Sequence, residues 1–277
     1  MAPAGTVTFP SGVRVPAMGQ GTWRMGDDPA RRAEELAALR LGLDLGLTVI
    51  DTAEMYGDGA AEELVGEAVR GRREQAFLVS KVVPSHADRK GTAAACHASL
   101  RRLGTDRIDL YLLHWRGDVP LHETVEALEA LVTDGSVGAW GVSNLGADDL
   151  ADLPDGARPE TDQVLYNLAR RGPEHDLFPL LRELSVPVMA YSPVEQGRLL
   201  DHPALRTVAA AHGASPAQVA LAWVLRLDDI IAIPKASTTA HVEENHAALG
   251  LRLTDDDLHA LDAAFPPPVG KQPLDVL

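Results

Sequence analysis

Residues 108–142 read IDLYLLHWRGDVPLHETVEALEALVTDGSVGAWGV, and this stretch decides the fold. Ile108 to Leu113 is a short, nearly continuous apolar run, too brief for a helix and fit for a buried strand. Val125, Leu128 and Leu131 then recur at helical spacing and stop at Gly135, a residue suited to the left-handed position that ends a helix. Val137 to Val142 is a second apolar run. Two such runs joined by a helix predict a parallel pair, because parallel strands cannot be connected by a tight turn.

The same alternation extends in both directions. Apolar runs occupy Pro16 to Gly19, Thr48 to Ile50, Phe77 to Ser80, Thr161 to Leu165, Val186 to Ala190 and Ile230 to Ile233, which with the first two makes eight. Asp28-Pro29 reads as a cap and first-turn proline ahead of Leu36, Leu39 and Leu43. Cys96, Leu100 and Leu103 repeat at helical spacing before Gly104. Eight strands separated by helices predict an α/β fold, a closed (β/α)8 TIM barrel, and 277 residues suit a fold that commonly takes roughly 250. Thr6 to Phe9 and Val13 to Val15, joined by Pro10-Ser11-Gly12, predict a short N-terminal β-hairpin. Pro203 to His212 and Thr254 to Ala264 predict two extra helices, and Pro266-Pro267-Pro268 opens an irregular tail. No linker-like segment divides the chain, so residues 1–277 read as a single barrel domain.

Composition narrows the function. The 25 Lys and Arg against 40 Asp and Glu give a formal charge of −15, which repels phosphate backbones and anionic lipid heads. Neither nucleic acid nor membrane is an expected partner. Cys96 is the sole cysteine, which excludes an intrachain disulfide and Cys-rich metal sites. Met1 to Ser11 lacks the basic and apolar regions of a signal peptide, and no apolar stretch is long enough to span a bilayer, so the expected location is cytoplasmic.

A barrel gathers its working residues in the loops after the strands. Asp51 and Tyr56 follow the second run, Lys81 the third, and His114-Trp115 the fourth. Ser143 and Asn144 follow the fifth, Gln163 lies in the sixth, Tyr191-Ser192-Pro193 ends the seventh, and Pro234-Lys235 follows the eighth. Singly, each has a plainer reading: Asp51 as a helix cap, Lys81 as a solvated lysine, His114 as a core histidine. Their joint occurrence at consecutive strand ends favours a site.

In these stretches the chain resembles the aldo-keto reductase family over nearly its whole length. The matching segments are Gly19-Gln20-Gly21-Thr22-Trp23, Ile50-Asp51-Thr52-Ala53-Glu54-Met55-Tyr56-Gly57, Val79-Ser80-Lys81 and Asp109 to Trp115. Gly141-Val142-Ser143-Asn144, Ala190-Tyr191-Ser192-Pro193 and Ile233-Pro234-Lys235-Ala236 complete the set. It is similar to compact bacterial members that reduce methylglyoxal and other small aldehydes. The resemblance implies a catalytic set of Asp51, Tyr56, Lys81 and His114, with Tyr56 as general acid. Hydride transfer to a carbonyl builds negative charge on oxygen, so a proton donor and a positive field are needed there. A nearby Lys81 is expected to lower the pKa of the Tyr56 phenol, and Asp51 to compensate a buried Lys81.

The resemblance further implies NADPH as cofactor, with NADH weaker. Gly21 and Thr22 would line its site, Tyr191 would stack on the nicotinamide, and Ser143, Asn144 and Gln163 would bond its carboxamide. Ser192 and Gly197 would lie along the pyrophosphate. Lys235, Ser237 and His241 would meet the 2′-phosphate, and Glu244 and Asn245 the adenine. Because Arg24 stands where a third glycine would complete a dinucleotide fingerprint, a Rossmann phosphate turn is not expected. The family usually has an arginine at the position of His241 and a small polar residue at that of Ala236, so a reduced preference for NADPH is expected. Trp23, Met55 and Trp115 are expected to wall a pocket for a small carbonyl substrate, left open by a short C-terminus. A monomer is expected. No metal site is expected: the alternative of a metal-dependent barrel hydrolase using Asp51 and His114 lacks a His-x-His after the first run. A second alternative is a nicotinamide-binding regulatory module of the same fold with little turnover.

Overall fold

The computed structural model describes residues 5–277, so the first four residues of the N-terminal reading lie outside the described part. β1 (Thr6–Thr8) and β2 (Arg14–Pro16) form the antiparallel hairpin, with Thr6 opposite Pro16. β3 (Gln20–Gly21), β4 (Val49–Asp51), β5 (Phe77–Val82), β6 (Ile108–Leu113), β7 (Val137–Ser143), β8 (Asp162–Leu165), β9 (Val188–Tyr191) and β10 (Ile230–Ala232) form one parallel sheet in chain order. Parallel bridges from Met18 to Ala232 and from Gly21 to Lys235 close it into a barrel.

Closure corrects the first predicted strand. Pro16 belongs to the hairpin, and the barrel strand begins only at Gln20. The reason is the crowding at the seam, where a Cβ on Gly19 would stand 2.7 Å from the Val49 carbonyl oxygen and one on Gly21 would stand 2.8 Å from that of Ile233. These glycines let the first and last strands approach.

The period-2 alternation of the strands separates two apolar layers. Val49, Val79, Leu110, Met189 and Ile231 fill the barrel interior together with Val7, Phe9 and Val15 of the hairpin, which seals the lower end. Phe9 stacks on Phe77 with ring centroids 5.7 Å apart. The outward side chains Ile50, Leu78, Tyr111 and Val164 pack with helical leucines such as Leu39, Leu64, Leu103 and Leu128. Full burial of one such side chain contributes about 1.5–3 kcal/mol.

The crossover helices are α1 (Arg32–Asp44), α2 (Ala60–Ala68), α3 (Arg89–Leu103), α4 (Leu121–Asp134), α5 (Ala147–Ala151) and α6 (Leu177–Glu183). α7 (Pro203–His212) and α10 (Asp255–Ala264) are the two extra helices, and α8 (Pro216–Val224) and α9 (Thr239–Ala247) complete the ring. Gly104 and Gly135 end α3 and α4 with φ of 63° and 87°. Asp28 does not cap α1: it accepts from Ala30 N in a turn, and the helix starts three residues beyond Pro29, at Arg32. His212 meets Asp257 at 2.7 Å and ties α7 to α10. No helix among the described residues is long and apolar enough to cross a membrane.

Candidate active site

Lys81 sits within β5, not after it as the apolar pattern implied, and its side chain is fully buried. Its ammonium donates to Asp51 Oδ2 at 2.8 Å and to the Thr52 carbonyl at 2.8 Å, and stands 3.2 Å from the Tyr56 hydroxyl. A charged residue inside an apolar strand is tolerable only with such a partner. Burial alone would lower the Lys81 pKa, but the Asp51 carboxylate and then Tyr56 outweigh it and hold the ammonium above its ordinary range. For Tyr56, burial comes first and raises the pKa, Lys81 lowers it, and Asp51 raises it again; the net direction is up. The expectation that Lys81 brings the phenol below its ordinary value is therefore corrected: Lys81 offsets only part of the desolvation, and Tyr56 keeps its proton at neutral pH.

His114 lies just past β6, beside Tyr56, with ring centroids 5.8 Å apart in an edge-on arrangement. Burial, and secondarily the charge of Lys81, bring its pKa down to about 2, so the ring is neutral. Its Nδ1 is buried without a hydrogen-bond partner among the described residues. Asp51, Tyr56 and His114 line the floor of a cavity of about 1050 Å³ at the C-terminal end of the strands. Lys81 supports that floor from below.

The residues read as nicotinamide ligands meet on one wall of the cavity. Ser143 Oγ donates to the Gln163 carbonyl at 2.8 Å. Asn144, at a φ of 57°, donates to Ser143 Oγ and to the His114 carbonyl, both at 3.0 Å, and accepts from the Tyr191 hydroxyl at 3.0 Å. Gln163 lines the same wall, and its amide donates to Asp51 Oδ1 at 2.7 Å. Both oxygens of Asp51 are thereby occupied, one by Lys81 and one by Gln163. Thr22 donates to the Asp51 carbonyl at 2.9 Å, and Gly21 borders the cavity at the barrel seam.

Beyond this wall the loop after β9 carries left-handed residues at Ser192, Glu195, Gln196 and Gly197, with φ of 51°, 49°, 55° and 86°. Three of them are not glycine, a strained run that persists only where the surroundings impose it. Asn167 imposes it here, donating to the Ser192 carbonyl at 3.0 Å and to the buried Glu195 carboxylate at 2.7 Å. Ser192, Gly197, Lys235, Ser237, His241, Glu244 and Asn245 all line the same cavity, at the end bounded by α9.

Trp23, Met55 and Trp115 stand at the cavity mouth, 40%, 46% and 37% exposed. The tail contributes to this mouth as well, for Val276 and Leu277, both exposed, also line the cavity. The tail is held by Lys271 against Asp148 at 2.7 Å and by Arg170 against Asp275 at 3.3 Å. Sequence reasoning missed these two apolar residues, together with Arg24 and Arg31. Only Arg24 carried a signal, as the residue interrupting the glycine pattern.

Residues 17–265 match the aldo/keto reductase family. The chain is 51% identical over 279 residues to the methylglyoxal reductase YeaE of Escherichia coli (strain K12), covering 98% of each. It is 33% identical over 263 residues to the glyoxal reductase of Bacillus subtilis (strain 168), covering 93% of this chain and 92% of that one. A crystal structure of an aldo/keto reductase from Klebsiella pneumoniae in complex with NADP and acetate superposes with a TM-score of 0.96 at 52% identity, covering 98% of this chain and 99% of that chain.

Proposed function

The chain belongs to the aldo/keto reductase family, and from that membership we propose that it reduces aldehydes and α-dicarbonyls of the methylglyoxal type to alcohols, with NADPH as reductant. The observation that carries the reading is the contact of one buried ammonium, Lys81, with both Asp51 and the phenol of Tyr56 at the floor of the cavity. The cavity residues fit a dinucleotide: the volume is at the upper end of ligand pockets, Ser192, Gln196 and Gly197 of the strained loop line it, and Lys235 has no ion-pair partner among the described residues.

When bound, the cofactor supplies a hydride. Ser143, Asn144, Gln163 and Tyr191 would hold its nicotinamide end, Ser192 and Gly197 its pyrophosphate, and Lys235, Ser237, His241, Glu244 and Asn245 its adenosine end. Tyr56, protonated at neutral pH, gives its proton to the carbonyl oxygen as negative charge develops there. Lys81 stabilises the phenolate left behind, and Asp51 keeps Lys81 charged. The neutral ring of His114, which borders the cavity beside Tyr56, orients the carbonyl. Trp23, Met55 and Trp115 exclude water around the substrate. The reading includes a cytoplasmic monomer, which gel filtration would check.

The test is loss of NADPH absorbance on methylglyoxal, with the hydroxyketone product identified by mass. No turnover on methylglyoxal or on any of a panel of small aldehydes would remove the enzyme reading. Cofactor binding without turnover would favour the regulatory module.

A further inference from the structure

We propose that Arg31, on the loop between β3 and α1, supplies the second cation that grips the 2′-phosphate of NADPH across from Lys235. The inference rests on the cofactor reading above and adds to it a specificity residue. Arg31 and Lys235 line one cavity, together with Ser237 and His241. The two loops that carry them leave the barrel side by side, because Gly21 donates to the Pro234 carbonyl at 3.1 Å and bridges to Lys235 at the seam. Farther along, α1 packs against α9.

Charge explains why the pair is kept. In a chain of net charge −15, an isolated lysine is a weak attractor for a phosphate dianion, and a histidine at position 241 adds no permanent charge. Lys235 has no ion-pair partner among the described residues. Among the described residues Arg31 pairs only with Glu34, at 3.8 Å, with side chains 43% and 52% exposed, a contact too long and too wet to hold it. Burial lowers the Lys235 pKa, and Arg31 is the charged neighbour that lowers it most. Arg24 adds to this repulsion and the carboxylates of Glu35 and Asp27 offset part of it; a phosphate held by both cations relieves what is left. Arg24 also lines the cavity, but its guanidinium is stacked on Trp23 at 4.4 Å, which leaves Arg31 as the free fork.

Fluorescence titration of NADPH, NADH, 2′,5′-ADP and 5′-AMP into the unmodified chain and its Arg31→Ala, Arg31→Lys and Lys235→Ala variants tests this without any turnover. Arg31→Ala is expected to weaken NADPH and 2′,5′-ADP by about tenfold to a hundredfold, the range for one charge-assisted hydrogen bond, while NADH and 5′-AMP stay within about twofold. Arg31→Lys should recover part of the loss. Unchanged NADPH affinity in Arg31→Ala, beside a loss in Lys235→Ala, would overturn the proposal and leave the cofactor reading intact. Equal weakening of NADPH and NADH would also overturn it, by assigning Arg31 to the pyrophosphate or to loop structure. If the unmodified chain bound neither nucleotide, the cofactor reading would fail and this inference with it.

Discussion

Lys81 and Asp51 form an ion pair of 2.8 Å with side chains 0% and 3% exposed, joining neighbouring strands inside the barrel. Removing one partner of such a pair leaves the other charge buried and unpaired, at a cost of about 3–5 kcal/mol. Lys81→Met is therefore expected to lower the unfolding midpoint in urea as well as turnover. Combining it with Asp51→Asn should restore most of the stability and none of the activity. A Lys81→Met variant as stable as the unmodified chain would mean that the pair contributes nothing to the fold.

Tyr56→Phe removes the hydroxyl 3.2 Å from Lys81 Nζ and leaves the ring in place. Carbonyl reduction should fall by about 10²- to 10⁴-fold, the usual contribution of a general acid, with NADPH affinity nearly unchanged. In the unmodified enzyme the alkaline limb of the free-enzyme rate profile should lie above the ordinary phenol range, since burial raises the Tyr56 pKa. Near-normal turnover by the phenylalanine variant would exclude Tyr56 as the donor.

His114 titrates near 2 in the folded chain because burial disfavours its charged form. Unfolded histidine titrates near 6.5, so above that pH the group is neutral in both states and stability is unaffected. As the pH falls below about 6.5, the unfolded chain binds a proton that the folded chain refuses, and stability is lost progressively toward pH 2. His114→Gln should make the stability difference between pH 7 and pH 5 smaller by roughly 1–2 kcal/mol, read from urea midpoints. An unaltered acid slope would place the loss in other groups.

Asp162 in β8 is fully buried, and neither carboxyl oxygen has a well-formed hydrogen bond among the described residues. Burial raises its pKa well above the carboxylate range, and the Leu145 N–H offsets only part of that. A raised carboxyl contributes stability below the unfolded value near 4 and loses it as the pH rises through the folded value. Asp162→Asn is thus expected to stabilise the fold at pH 8 by about 1 kcal/mol or more, with the gain shrinking toward pH 4. Calorimetry at the two pH values decides it, and a destabilised variant at pH 8 would show that the carboxylate has a partner.

Trp115 tilts against His114 with ring centroids 4.9 Å apart, at the mouth of the cavity. Trp115→Ala should raise KM for larger apolar aldehydes more than for methylglyoxal and leave kcat within a fewfold, because it removes wall area and not chemistry. Equal losses in kcat for all substrates would place Trp115 in the catalytic geometry instead.

By itself the sequence determined the α/β alternation, the helix ends at Gly104 and Gly135, and the gathering of Asp51, Tyr56 and His114 at or just past the ends of neighbouring strands. These follow from local rules, namely the period of apolar residues, the left-handed tolerance of glycine, and the one-faced loops of a parallel barrel. Only the tertiary structure decided where the barrel closes, because closure depends on how near Gly21 comes to Ile233, more than two hundred residues on. It also decided that Lys81 is buried inside a strand, that Gln163 reaches Asp51, that the tail reaches the cavity and that Arg31 and Lys235 line that cavity together. Each of these joins side chains distant in sequence, and their charge and hydrogen-bond states are set by what surrounds them in space, which no local pattern of residues encodes.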